Sequence, residues 1–85
     1  METRVAVISI IVENESVIGQ VNDILHEYRL HIIGRMGIPY RQKQISIICV
    51  AIDAPQDVIS AMSGRIGRLP GISTKTAYSN VITKA

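Results

Sequence analysis

Hydrophobic positions along the chain follow two periods, and their order is informative. Arg4 to Val12 reads RVAVISIIV, a β-branched run too short for a buried helix and so a first strand. Both of its faces are apolar, with Val5, Val7 and Ile11 pointing one way and Ala6, Ile8, Ile10 and Val12 the other. From Val17 the period changes to that of a helix. Val17, Ile18, Val21, Ile24, Leu25 and Tyr28 recur at helical spacing, while Gln20, Asn22, Asp23, Glu27 and Arg29 occupy the wet face, and Ser16 is the expected cap. Leu30 to Met36 predicts a second strand, after which Gly34, Gly37 and Pro39 are expected to break regular structure ahead of a hairpin loop at Tyr40 to Lys43. Gln44 to Asp53 predicts a third strand. A second helix follows, with Asp53 as its expected cap, Pro55 in its first turn and an apolar stripe of Val58, Ile59, Met62, Ile66 and Leu69. Leu69-Pro70-Gly71 ends that helix before a Thr-rich fourth strand over Ile72 to Ser79.

Sliding the chain on itself by about 41 positions lays Val17-Ile18 on Val58-Ile59, Val21 on Met62, Leu25 on Ile66 and Tyr28 on Leu69. Two β-α-β halves result. Joined by a hairpin and subject to right-handed crossovers, they give an α+β, ferredoxin-like βαββαβ sandwich, a four-stranded antiparallel sheet with two helices on one face. At 85 residues the whole chain, 1–85, is expected to be a single domain. Two helices cover only one side of the sheet, so the apolar uncovered side predicts a homo-oligomer, a dimer or tetramer, or another protein partner.

Composition removes several functions that share this topology. There is no Phe or Trp to stack RNA bases, and Tyr28, Tyr40 and Tyr78 fall on a helix, a loop and the last strand. Copper-chaperone-like domains need two thiolates in the first loop, where this chain has Asn14-Glu15-Ser16; acylphosphatase-like chemistry needs a basic phosphate cradle, where it has Glu13 and Glu15. A formal net charge of +2 carried by scattered basic residues gives no nucleic-acid patch. Nothing approaches the roughly 20 apolar residues of a membrane span, and a lone Cys49 with no signal-like start indicates a cytoplasmic protein.

Candidate chemistry lies where the first strand meets its helix. The turn at Asn14, Glu15, Ser16, Ile18 and Gly19 combines short polar side chains, a glycine and the unpaired N–H groups of a helix start, which suit a small ligand with an anionic or carbonyl group. Gly34 and Arg35, at the end of the second strand, are expected to approach it in the same or a neighbouring subunit. The same residues read equally as a helix cap and a pair of chain bends. No catalytic set is suggested by spacing, so no enzyme is expected and no cofactor is implied. Cys49 suits a small buried hydrophobe. His26 can favour a helix carboxyl end and His31 a sheet edge or subunit contact; as an alternative, His31 and Cys49 could serve a soft metal if the second and third strands bring them together. They fall short of a complete ligand set, so no metal residue is assigned.

Asn14 to Leu25 followed by Leu30-His31-Ile32-Ile33 resembles the opening of ACT domains, small modules that bind amino acids or similar effectors at subunit interfaces. Ser16 stands where that family commonly has proline. Over nearly the whole chain, with Gly34-Arg35-Met36-Gly37-Ile38-Pro39-Tyr40 and Leu69-Pro70-Gly71-Ile72 alongside the first turn, the sequence is similar to the short iron-only hydrogenase system regulators of anaerobic bacteria. That family is related to the effector-binding half of the nickel-responsive regulator, without its DNA-binding half. The resemblance implies an ACT-like fold, oligomerisation and a non-catalytic regulatory role in which a small effector or a protein partner is bound. It does not supply a nickel site, because the His-x-His pair of the nickel regulator is missing here. With no DNA-reading segment, control of transcription would pass through a partner.

Overall fold

Four strands and two helices alternate along the computed structural model, which describes residues 2–84. β1 (Glu2–Val12) leads through one 3-10 turn (Glu15–Val17) into α1 (Ile18–Glu27), and a second such turn (Arg29–His31) leads into β2 (Ile32–Tyr40). A third turn (Arg41–Lys43) joins β3 (Ile45–Ala54), followed by α2 (Gln56–Gly67) and β4 (Ile72–Lys84). The sheet order is β2-β3-β1-β4 with every neighbour antiparallel, which is the ferredoxin-like sandwich expected from the repeated halves.

The period-2 reading of β1 holds residue by residue. Ala6, Ile8, Ile10 and Val12 are buried, and they share a core with Ile48, Val50, Ile52 and Ala54 of β3. Val21, Ile24 and Leu25 of α1 and Ile59, Met62 and Ile66 of α2 close that core from one side. The opposite side stays open, leaving Val5, Val7 and Ile11 between 40% and 42% exposed. Register extends this patch across the sheet, because Ile11 lies opposite Ile47, Ile47 opposite Ile38, and Cys49 opposite Met36.

Several boundaries depart from the sequence reading for identifiable reasons. β2 begins at Ile32, so Leu30 and His31 belong to a turn, and the strand runs on through Gly34, Gly37 and Pro39 instead of breaking there. It is an edge strand, where a proline leaves no ladder donor unmatched. β4 continues past Ser79 to Lys84 by pairing with Glu2, Thr3 and Arg4, a contact between chain ends that no local pattern reveals. Asp53 remains an exposed strand residue opposite Val5, and the α2 start is organised by Pro55, whose carbonyl accepts from Val58 and Ile59 N–H.

The two helices are tied by one ion pair, Arg65 Nη1 to Glu27 Oε2 at 2.6 Å and Nη2 to Oε1 at 3.2 Å. The hydrogen bond from Arg65 holds the Glu27 carboxyl below its usual range, with the arginine charge adding to it. A carboxyl with a depressed folded-state pKa adds stability that is present above its unfolded value and lost as pH falls through the folded one. Glu27→Gln should therefore lower the melting temperature slightly at neutral pH and leave it unchanged in strong acid. A deficit that persists in acid would show that the pair acts through packing instead of charge.

Candidate functional site

The turn singled out in the sequence is built around Asn14, whose extended backbone (φ −123°, ψ 104°) turns the chain out of β1. Its side-chain Oδ1 accepts from the Ser16 N–H at 3.1 Å and from the Ser16 hydroxyl at 2.6 Å. Asn14, not Ser16, is thus the cap, and Ser16 is the residue being capped. Two further amides of the turn are engaged: Val17 N–H donates to the Asn14 carbonyl at 3.1 Å and Glu13 N–H to the Gly71 carbonyl at 2.7 Å. Gly71 lies directly against Asn14, so the loop before β4 packs onto this turn.

The seven residues expected to share a site separate into groups. Asn14, Glu15 and Ser16 form the capped turn, with Glu15 and Ser16 exposed. Gly19 is exposed on α1, with open space where a side chain would be. Ile18 and Arg35 do converge. They line one cleft of about 220 Å³ between α1 and the sheet, together with Asn22, Gly37, Ile38 and Pro39. Arg35 reaches it because its β2 position lies opposite Val50, on the helix side of the sheet, and its Nη2 donates to Asn22 Oδ1 at 2.8 Å. Gly34 precedes it by one residue and lies opposite Ala51, so it borders a hollow of about 230 Å³ on the open face with Val7, Met36 and Cys49, a hollow that Arg35 also borders. Strand alternation thus places Gly34 and Arg35 on opposite sides.

Sequence reading passed over the residues that continue this groove. Asn22, His26 and Arg29 lie at i, i+4 and i+7 and, with Leu25, Ile32 and Arg35, line a neighbouring cleft of about 290 Å³. The helical spacing was legible, but its nearness to Arg35 required the fold. His31 and Cys49, by contrast, do not converge within a chain. Ile32 pairs with Ile52 and Met36 with Cys49, so Cys49 lies three strand positions, about 10 Å, from the level at which His31 enters. Among the described residues, no group of three or more His, Cys, Asp or Glu side chains could hold a metal ion.

Protein TM1266 from Thermotoga maritima shares this fold with a TM-score of 0.86 and 32% sequence identity, over 89% of this chain and 96% of that one. A formyltetrahydrofolate deformylase from Pseudomonas putida KT2440 superposes with a TM-score of 0.66 at 16% identity. That likeness covers 91% of this chain but 29% of the enzyme, so it concerns the fold alone. No curated protein matches the chain. The model of one family matches residues 4–76, and the chain accordingly belongs to the TM1266-like family, described as "Iron-only hydrogenase system regulator, putative".

Proposed function

We propose that the protein is a non-catalytic regulatory module of the iron-only hydrogenase system that senses a small effector and passes its occupancy to a partner through subunit contacts. The observation that carries this reading is the meeting of Ile18 and Arg35 in one cleft, an apolar wall beside a guanidinium already steered by Asn22. These groups bind and orient a molecule without the proton donors, acceptors and nucleophiles of catalysis. Of the proposed effector contacts, Ile18 and Arg35 line this cleft, Asn14, Glu15, Ser16 and Gly19 flank Ile18 in the chain, and Gly34 lies on the open face beside Arg35. The open apolar face supports a homo-oligomer, dimer or tetramer, as the route by which binding is transmitted. The whole chain acts in this reading as one ACT-like cytoplasmic domain, with transcription reached through a protein partner and not by direct nucleic-acid contact. No helix of the described residues is long and apolar enough to cross a membrane.

Calorimetry against a panel of amino acids tests the sensing role. Saturable binding of at least one member is expected, weakened several-fold by Asn14→Ala, a change that removes about 1 kcal/mol of capping while leaving the domain folded. Silence across the panel would refute sensing in favour of a structural adaptor.

A further inference from the structure

We propose that the cleft between the Asn22–His26–Arg29 stripe and Arg35 is a binding site for an anionic group, carboxylate or phosphate, carried on a small apolar body. Its floor is apolar, formed by Leu25 and Ile32, and its rim is entirely polar or basic. Each arginine is tethered through one nitrogen only. Arg35 Nη2 donates to Asn22 Oδ1 at 2.8 Å, and Arg29 Nη1 donates to the His26 carbonyl at 3.0 Å. The remaining guanidinium N–H groups are free to donate, and holding each side chain by one bond reduces the entropy lost when an anion binds. His26 adds a ring N–H in either protonation state.

Charge around the cleft favours one sign. The two carboxylates of α1, Asp23 and Glu27, are absent from its lining, and Glu27 is bound to Arg65. A volume of about 290 Å³ suits a molecule of a few carbons with one charged head. Bare inorganic anions would use the rim alone, whereas the Leu25 and Ile32 floor adds affinity only for a probe with a hydrocarbon portion. This cleft shares Asn22 and Arg35 with the one above, but it adds His26 and Arg29 and does not use the Asn14 turn.

Nuclear magnetic resonance titration of the full chain with inorganic phosphate, butyl phosphate and butyrate tests it. Saturable shifts are expected at the Asn22 side-chain amide, the His26 ring and the backbone of Ile32 to Arg35, with butyl phosphate or butyrate binding more tightly than inorganic phosphate. Whichever of those two wins identifies the head group. Arg29→Gln and Arg35→Gln should each weaken binding about tenfold. Asn22→Asp keeps both arginines and the shape but places a carboxylate in the cleft, and should abolish binding with the melting temperature unchanged. No saturable shift, shifts confined to the Asn14 turn, or binding that survives Asn22→Asp would each overturn the proposal. Asn14→Ala should leave butyl phosphate binding intact, so that failure of the amino-acid panel and failure of this site are told apart.

Discussion

Replacing Gly71 by alanine should lower the melting temperature by about 10–25 °C, corresponding to roughly 2–4 kcal/mol in a domain of this size. Two costs add. Gly71 has φ +72°, in the left-handed region where a side chain costs about 1–2 kcal/mol. A β-carbon there would also lie 2.6 Å from the Asn14 β-carbon and 3.2 Å from its backbone nitrogen. Neither atom is the movable end of a long side chain, so relief would require displacing Asn14, the residue whose side chain caps the turn into α1. The Glu13 N–H to Gly71 carbonyl bond would shift with it. The opposite case is Gly19→Ala. That glycine is in α1 with open space around it, and alanine there should be neutral or stabilise by up to about 1 kcal/mol. Thermal unfolding of both variants checks the pair. A Gly71→Ala protein melting with the wild type would show that the loop before β4 does not lock the first turn.

That contact also marks how far the sequence could be read. Leu69-Pro70-Gly71 was legible as a helix stop, because proline and glycine act locally; that the stop packs onto Asn14, far away in the chain, was not. The same division runs through the rest of the fold. The alternation of Ala6, Ile8, Ile10 and Val12 against Val5, Val7 and Ile11 sorted β1 into two faces, since a period of two leaves a strand no other choice, but with both faces apolar only the fold shows that the first set is buried. The stripe of Ile59, Met62 and Ile66 specified the buried face of α2 in the same manner. Gly34, Gly37 and Pro39 misled because their tendency to break structure is a local average, and an edge strand with one unpaired side tolerates all three. At the candidate site, Ile18 and Arg35 were named from sequence and line one cleft, while Gly34, named with them, faces the open side by the alternation of its strand. Asn22 and Arg29 were read as a solvated face and His26 as favouring the helix carboxyl end, and all three are exposed; only the position of β2 turns them into a wall.

Substituting Val7 and Ile11 together with lysine should convert an oligomer into a 9.3 kDa monomer, the largest change expected from any surface substitution in this chain. Both residues project from β1, an interior strand, onto the side that no helix covers, and they remain 42% and 41% exposed. Around them the register gathers Ile47, Cys49 and Ala51 of β3 and Met36 and Ile38 of β2, with Asp53 and Lys75 the charged residues that their paired positions bring to that side. An apolar surface of this breadth is rare on a monomer, and a face with so little charge can meet its own copy across a two-fold axis without repulsion. Two lysines per copy remove about 1.5–3 kcal/mol of burial each and introduce ammonium groups whose desolvation is unmatched, so association should weaken by about a thousandfold or more. Folding should survive, because the core on the helix side, from Ile8 through Leu25 and Met62, is untouched. Sedimentation velocity decides the matter: the wild type should sediment as a multiple of the chain mass and the double variant as one chain. A wild type that stays monomeric at high concentration, or a double variant that stays assembled, would show that copies do not join through this face, and transmission of binding would then have to run through the β2 or β4 edge.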